Sequence, residues 1–150
     1  MSVLEHLSGQ IGQELGVSDW IEISQERINT FADVTEDHQF IHVNPEMAKQ
    51  FTPFGGTIAH GFLTLSLLSR MAETGLPKLE GAKMGMNYGL NKVRFLTPVP
   101  SGARVRGRFV LASAEEKNPG QILQCHTVTV EIDGAPKPAL VADWLSLIFV

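Results

Sequence analysis

The sequence lacks the features that mark several specialised classes of protein. It contains a single cysteine, Cys125, which can form no internal disulfide, and it has no Cys and His spacing typical of a zinc site. Its 12 Lys and Arg residues against 16 Asp and Glu give a formal net charge of −4, without the basic surplus of a nucleic-acid-binding domain. No apolar run reaches the roughly 20 residues that a membrane-spanning helix needs. We therefore expect no metal, no nucleic-acid partner and no membrane partner.

The beginning of the chain and the overall composition predict a soluble, cytoplasmic protein. The first ten residues do not combine a basic start with an apolar stretch, so they do not resemble a secretory signal. A chain of 150 residues, of which 43% are hydrophobic and 19% charged, suffices to bury one core. No repeat, low-complexity tract or long linker divides it. We expect a single domain over residues 1–150.

Helix signals dominate the first half of the sequence. The spacing of apolar residues predicts a short amphipathic helix over residues 3–15, stopped by a glycine, and a short strand over 19–23 follows. Ser24 is predicted to cap a second helix. The pair Asn44-Pro45 is predicted to start a third, because Asn is a good cap and Pro suits the first helical position.

The longest apolar segment begins at His60-Gly61 and ends near residues 75–77. Leucine, phenylalanine and methionine occupy nearly all sides of the helix that this segment predicts. A helix that is apolar on all sides is typically buried on all sides. We therefore predict a buried central helix.

Alternating apolar and polar residues predict four antiparallel strands in the second half. Turn residues at 118–120 and at 133–134 separate them, and a change of register near Leu90–Lys92 indicates a bulge. A sheet and a buried helix cover each other's apolar faces, so we predict an α+β fold in which an antiparallel sheet wraps a central helix. The predicted strands span residues 82–96, 103–111, 121–132 and 139–149.

Asp37 and His42 are the clearest candidates for a catalytic pair. They lie five residues apart in a segment, 35–42, that we predict to be a polar turn. A carboxylate and an imidazole that converge on one water molecule can activate it and manage its protons, and His titrates near neutral pH. Each residue alone has an ordinary explanation, since Asp commonly caps a turn and a buried His is commonly hydrogen-bonded. The pair together with the His-Gly sequence downstream favours catalysis.

Gly61, at the start of the predicted central helix, is a candidate for binding negative charge. The first N–H groups of a helix have no intrahelical partner, and the helix dipole there favours an anion. Glycine also lets a substrate approach the backbone closely. His60, which precedes it, either contacts the site or only caps the helix, and we favour the structural role.

Two segments resemble the signatures of the MaoC-like dehydratase family, which includes the (R)-specific enoyl-CoA hydratases of the hydratase 2 type. Residues 35–42, TEDHQFIH, resemble the hydratase motif, in which Asp is followed by x-Asn-Pro-aliphatic-His. Residues 58–61, IAHG, resemble the aliphatic-x-His-Gly stretch that opens the central helix. The resemblance covers roughly residues 20–148. Gln39-Phe40 replaces the usual Asn-Pro, as in a subgroup related to nodulation protein N, and this departure bears on the shape of the turn and the chain-length preference.

The resemblance implies a hot dog fold and a homodimer that acts on trans-2-enoyl thioesters of coenzyme A, hydrating them to (R)-3-hydroxyacyl-CoA. It maps Asp37 and His42 onto the catalytic pair and Gly61 onto the oxyanion donor. Ser69 falls where some members carry a serine that supports the site. The family's chemistry implies no metal and no organic cofactor, because coenzyme A is part of the substrate.

Two other functions deserve comparison. A hot dog thioesterase typically places a carboxylate on the central helix, where this sequence has only Glu73, at the far end. A non-catalytic acyl-thioester binding protein would be indicated by a damaged pair, and here the pair is intact.

A row of three arginines on one predicted strand face either contacts the phosphates of coenzyme A or forms a solvated face, and we favour the solvated face. These arginines are Arg104, Arg106 and Arg108.

Overall fold

The computed structural model describes all residues of the chain, 1–150, as six helices and six strands. The predicted N-caps Ser24 and Asn44 are both confirmed, since their side chains accept hydrogen bonds from the N–H groups of Arg27 and Met47. The helices are α1 (Val3–Ser8), α2 (Gln25–Thr35), α3 (Phe40–Val43), α4 (Pro45–Phe51), α5 (Gly61–Ser66) and α6 (Leu68–Gly75). The strands are β1 (Glu14–Val17), β2 (Ile21–Glu22), β3 (Met84–Phe95), β4 (Arg104–Asn118), β5 (Gln121–Ile132) and β6 (Leu140–Phe149).

All six strands belong to one antiparallel sheet. Its order is β1-β4-β5-β6-β3, and β2 pairs with the start of β4. The turn predicted at 118–120 joins β4 to β5, with Gly120 at a φ of 77°. The register of β3 against β6 shifts between Asn91 and Arg94, where Lys92 takes a φ of 53°. This shift confirms the predicted bulge.

The central helix is broken and only half-buried, which corrects the prediction of a helix buried on all sides. Its two segments, α5 and α6, meet at Leu67, whose ψ of −4° departs from the helical value of about −42°. Leu63, Leu68 and Met71 are buried against the sheet, whereas Phe62 is 67% exposed. The spacing of apolar residues in the sequence predicts a helix, but it does not reveal which of those residues another element covers. No helix in the structure is both long enough and apolar enough to cross a membrane.

The sheet and the central helix form the two layers of a hot dog fold. Their facing sides make one apolar cluster of 15 buried residues, to which the helix contributes Leu63 and Met71 and the sheet contributes Phe109, Val128 and Leu140. The antiparallel sheet against a central helix confirms the predicted α+β class. The burial of Leu63 also fixes the position of α5, which begins at Gly61.

The first helix is shorter than predicted, ending at Ser8 rather than near residue 15. Gly9 caps it, and Gly12 then turns the chain with a φ of 87°. The following residues form β1, which pairs with β4. Gly16 is therefore a strand residue and not a helix stop, and a Cβ there would lie 1.7 Å from the carbonyl oxygen of Gly75. The apolar residues of this segment have helical spacing, but the segment forms a strand because β1 packs closely against the end of α6 and pairs with β4.

A band of polar side chains interrupts the buried face of the sheet. The buried apolar residues form two clusters, a large one around the central helix and a small one that includes Leu7 and Ile122. Between them, along β5 and β6, lie the buried side chains of Gln124, His126 and Ser146, which we call the polar band. Gln124 donates from Nε2 to Oγ of Ser146 at 3.2 Å, whereas Nδ1 of His126 has no partner within the protein. Burial lowers the pKa of His126 to about 4, so the ring is neutral near pH 7.

Replacing His126 by leucine is expected to make the stability of the protein less sensitive to acid. The pKa of a histidine is about 6.5 in an unfolded chain, whereas that of folded His126 is about 4. The unfolded state therefore binds the proton first, and the folded state loses up to about 3 kcal/mol as the pH falls from about 6.5 to about 4. Urea unfolding of His126→Leu at about pH 7 and about pH 4.5 should lack this loss. His6→Leu, which removes an exposed imidazole, should keep the wild-type dependence, and an unchanged dependence in His126→Leu would contradict the burial effect.

Candidate active site

Asp37 lies in the turn that joins α2 to α3. Helix α2 ends at Thr35 because Glu36 adopts the left-handed backbone conformation, with a φ of 61°. Oδ1 of Asp37 accepts a hydrogen bond from the backbone N–H of Gln39 at 3.3 Å, which is a common turn-forming role of Asp. The Asp37 side chain remains 51% exposed. Its carboxylate is thus oriented by the turn and still accessible to a ligand.

His42 lies in α3, which corrects the prediction that residues 35–42 form a turn throughout. This single helical turn buries the imidazole, which is 7% exposed. Its Nδ1 lies 2.7 Å from the carbonyl oxygen of Ile58. Because a carbonyl only accepts, Nδ1 carries the hydrogen, and Nε2 of the neutral ring keeps a free lone pair. Burial lowers the pKa of His42, and the hydrogen bond to Ile58 offsets part of that shift, so the neutral ring prevails near pH 7.

His60 contacts both members of the predicted pair. Its ring stacks on that of His42, with centroids 3.8 Å apart and 22° between the planes. Its Nε2 donates to the backbone carbonyl of Asp37 at 3.0 Å and lies 4.0 Å from Oδ2 of the same residue. The imidazole is buried and makes no capping hydrogen bond to α5. His60 therefore positions Asp37 and His42 instead of capping the helix.

Asp37, His42 and His60 are residue types that bind metal ions, and their side chains lie close together. One ligand atom of each lies within 4.8 Å of the others. The ligands of a zinc ion converge on one point at about 2 Å. The two stacked rings instead lie in nearly parallel planes, 22° apart, so their in-plane nitrogen lone pairs do not converge on one point. This geometry suits a hydrogen-bonded pair better than a set of converging ligands.

A cavity of about 190 Å³ opens beside His42 at the start of α5. Gly61 lines it, and a Cβ on Gly61 would lie only 2.9 Å from Cδ1 of Phe95. The first N–H groups of a helix have no intrahelical partner, so Gly61 brings a backbone donor to the cavity wall. Thr64 also lines the cavity, with a buried hydroxyl that has no partner within the protein. The other walls are formed by Ile58, Ala59, Phe95, Thr97, Pro98, Val99, Ala139 and Leu140.

The structure does not bring Ser69 to the cavity beside His42. Ser69 is an exposed residue of α6, and it lines two other cavities farther along the central helix, together with Asn87 and Trp144. Any contact between Ser69 and a ligand therefore occurs away from Asp37 and His42.

The three arginines of β4 form an ion-paired surface. Arg106 and Arg108 both donate to the carboxylate of Glu131, and Arg104 pairs with Asp133. Arg106 also lies over the ring of Trp20, 4.3 Å from its centroid, and Arg108 additionally pairs with Glu14. Since each guanidinium already has a carboxylate partner, the structure supports the solvated strand face over a phosphate site.

Three residues that no sequence motif marks, Gln25, Phe31 and Thr57, support His42 and His60 on the side away from the cavity. Gln25 donates from Nε2 to the carbonyl oxygen of His42 at 2.7 Å and accepts at Oε1 from the hydroxyl of Thr57 at 2.5 Å. The ring of Phe31 lies 4.9 Å from that of His60. No local pattern marks these residues, because the partners are separated by 17 to 32 positions in the chain.

Comparison with known proteins identifies the family of the chain. The family model described as a MaoC like domain matches residues 6–134, which is most of the chain and includes Asp37, His42, His60 and Gly61. The chain belongs to the MaoC-like dehydratase family. The match begins within α1 and extends past the end of β5, so it spans the helical half and most of the sheet.

Individual relatives support this membership, and a solved structure shares the fold. Nodulation protein N of Rhizobium leguminosarum bv. viciae is 54% identical over 145 residues, covering 97% of this chain and 90% of that protein. The 3-hydroxyacyl-thioester dehydratase Z of Mycobacterium tuberculosis is 49% identical over 137 residues, covering 91% and 89%. The structure of the (R)-hydratase from A. caviae, involved in PHA biosynthesis, matches with a TM-score of 0.73 at 24% identity, covering 91% and 94%. That last likeness shows the shared hot dog fold.

Substituting Gly61 by alanine is expected to destabilise the protein through a clash with Phe95. The new methyl group would lie 2.9 to 3.2 Å from three atoms of the ring, and overpacking of this kind costs about 1–3 kcal/mol. The cost should fall in the background of Phe95→Ala, which a double-mutant cycle by urea unfolding measures. Gly56→Ala is the matched control, because a Cβ there meets nothing within 4 Å. Equal costs for Gly61→Ala in both backgrounds would contradict the assigned contact.

Proposed function

We propose that the chain catalyses the reversible hydration of trans-2-enoyl-CoA to (R)-3-hydroxyacyl-CoA, with Asp37 and His42 as the catalytic pair. The chain is a hydro-lyase by its family, since a close relative is named a dehydratase. One observation carries the finer proposal. A carboxylate oxygen of the accessible Asp37 lies within 4.8 Å of a ring nitrogen of buried His42, and His42 and Gly61 line the same cavity.

The tautomer of His42 favours a shared water molecule between the two side chains. Nδ1 donates to Ile58, so Nε2 accepts one hydrogen of the water while the carboxylate of Asp37 accepts the other. The water oxygen then bonds to carbon 3 of the enoyl group, one water proton passes to the pair, and a proton from the pair is delivered to carbon 2. Water is thereby added completely, and the pair returns to its starting state.

Gly61 supplies the third element that the reaction needs. As carbon 3 is attacked, negative charge develops on the thioester oxygen, and a backbone N–H directed at that oxygen stabilises the transition state. One such donor contributes about 2.7–4 kcal/mol. Helix α5 has only six residues, so the local N–H groups at its start, and not a long helix dipole, supply this stabilisation.

We also propose that the reaction uses neither a metal ion nor an organic cofactor. The support is the stacking of His42 on His60, because the in-plane nitrogen lone pairs of two nearly parallel rings do not converge on one ion. Activity that survives dialysis against a chelator, with metal content checked by elemental analysis, would agree with this proposal.

The single cysteine, Cys125, accords with a cytoplasmic location, which we propose as well.

Hydrolysis of the thioester has less support from the geometry. Glu73, the one carboxylate of the central helix, lies near the end of α6, is 71% exposed and pairs with Arg70 at 3.1 Å. It does not line the cavity beside His42. Release of free thiol, measured beside the hydration assay, would expose a thioesterase activity.

Loss of either member of the pair should abolish hydration without unfolding the protein. We expect Asp37→Asn and His42→Ala to lower kcat by about 10²–10⁴-fold, the range typical of a lost general acid or base. The assay follows the fall in ultraviolet absorbance of crotonyl-CoA, and an (R)-specific dehydrogenase identifies the configuration of the product. Asp33 and His38 offer a matched control, since they are also five residues apart and lie 2.9 Å from each other, but they are exposed.

Asp33→Asn and His38→Ala should retain wild-type turnover. Full activity of Asp37→Asn would remove the proposed mechanism. Absence of turnover by the folded wild-type protein, with no thiol release, would favour an acyl-thioester binding protein.

We further propose a homodimer formed along the edge of the sheet. β3 pairs only with β6, so its other edge has free backbone groups. Its apolar side chains are exposed, among them Met84 at 53%, Tyr88 at 48% and Phe95 at 50%. An exposed apolar edge strand is a surface that pairing with a second chain covers.

Light scattering should therefore give twice the mass of the 16.4 kDa chain. The double variant Met84→Lys/Tyr88→Lys should shift the protein towards the monomer, because it places charge on the proposed interface. Val34→Lys, at a 74% exposed position on α2, is the control and should remain dimeric. A monomeric wild-type protein at tens of micromolar would contradict the proposal.

A further inference from the structure

Three cavities follow one another along the central helix and together form a groove. The first, of about 210 Å³, lies between α5, α6 and strands β3 and β6. The second, of about 290 Å³, shares Ser69, Asn87 and Trp144 with the first. The third, of about 500 Å³, extends under α1 and shares Gln124 and His126 with the second. Because neighbouring cavities share lining residues, we call the three together the groove.

The groove begins next to the candidate active site. Phe62, which lines its first cavity, follows Gly61 directly, and its ring packs edge-on against Phe95 at 5.9 Å. Phe95 in turn lines the cavity beside His42. Ser69 and Ala72, in the wall of the second cavity, follow Gly61 by 8 and 11 residues. That spacing corresponds to about 12 and 17 Å along a helix, a reach that suits an acyl chain of medium length.

The polar band lines the second cavity of the groove, whereas a bound alkyl chain would require an apolar wall there. Gln124, His126 and Ser146 all line its second cavity, and all three are more than 90% buried. His126 is only 2% exposed, and its Nδ1 has no partner within the protein. A buried polar atom without a partner is unfavourable, because it has lost its hydrogen bonds to water. A ligand that supplies the missing hydrogen bond offsets this loss, whereas a methyl group does not.

The charges around the second cavity define the kind of group that fits. None of its lining residues is an Asp, Glu, Lys or Arg. His126 is neutral near pH 7 because burial lowers its pKa to about 4. A carboxylate or an ammonium group held by His126 and Gln124 would therefore lose hydration without an opposite charge among the residues of this cavity, which is unfavourable. An uncharged hydroxyl or carbonyl group fits, since it can donate to or accept from His126 and Gln124.

We propose that the groove is a specificity site for acyl thioesters whose chain carries an uncharged oxygen function, a hydroxyl or a carbonyl, remote from the thioester and bound by His126 and Gln124. This inference rests on the proposed function for the position of the thioester. It adds His126 and Gln124 to the residues that select the substrate.

The kinetic test compares trans-2-enoyl-CoAs from crotonyl-CoA to dodecenoyl-CoA, with each longer chain ending either in a methyl or in a hydroxyl group. At the lengths that reach the polar band, kcat/KM of the wild-type protein should be at least about tenfold higher for the hydroxyl form, which corresponds to about 1.4 kcal/mol. His126→Leu should abolish this preference, and His126→Gln, which keeps a hydrogen-bonding group, should restore part of it. Gln124→Leu is a second variant should His126→Leu fail to fold. His38→Leu, which removes an exposed imidazole elsewhere, should keep the preference.

A binding test separates this inference from the proposed function. Trp144 lines both the first and the second cavity, and Trp20 is the other tryptophan of the chain. In the background of Trp20→Phe, the fluorescence of Trp144 reports binding of decanoyl-CoA and ω-hydroxydecanoyl-CoA, neither of which can be hydrated. We expect the hydroxyl form to bind about tenfold more tightly, and His126→Leu to remove the difference.

The outcomes of the two tests are distinct. Tighter binding of the hydroxyl form without turnover of any enoyl-CoA would support the groove and overturn the proposed function. Turnover of crotonyl-CoA with equal kcat/KM and equal affinity for both chain ends would support the proposed function and overturn the groove. A preference that persists in His126→Leu, His126→Gln and Gln124→Leu would overturn the assignment of these two residues.

Discussion

The stack of two buried imidazoles, His42 on His60, is the contact on which the candidate site depends. Each ring is removed from water, so each must direct an N–H group to a partner inside the protein, and the carbonyl groups of Ile58 and Asp37 are those partners. These two bonds select the tautomers, and they leave Nε2 of His42 as an acceptor in a ring that has one nitrogen within 4.8 Å of a carboxylate oxygen of Asp37. Because α5 begins at Gly61, directly after His60, the same contact also sets the distance between the pair and the helix start.

The hot dog fold supplies this stack with a rigid frame and leaves a groove beside it. The sheet buries one face of the central helix, while the face that carries Phe62 stays exposed, so a ligand can lie along the helix without unfolding any part of it. The apolar core is divided by the polar band, and His126 within it has an unsatisfied nitrogen. A core built for stability alone would fill these positions with apolar side chains. The polar band lines the second cavity of the groove, where we propose that it recognises an oxygen function of the acyl chain.

Much of the architecture could be predicted from local sequence signals. The caps Ser24 and Asn44, the turn at 118–120 and the bulge near Lys92 all follow from residue types that act within a few positions. The helix predicted over residues 3–15 was wrong in its second half, because the helical spacing of Leu15 gives no sign that β4 and α6 compete for that segment. The central helix was predicted correctly in place but not in burial, since burial depends on which elements pack around it.

The sequence by itself determined the family, the candidate pair Asp37 and His42 and the glycine that opens the central helix, because these features lie in two short segments whose spacing is visible in the chain. Only the tertiary structure decided the role of His60 and the tautomer of His42, since both depend on carbonyl groups 16 to 23 residues away. It also brought His126 to the groove, a residue that no motif marks. The physical reason is that hydrogen-bond satisfaction of a buried group is decided by distant chain segments, whereas caps, turns and motifs are decided by neighbours.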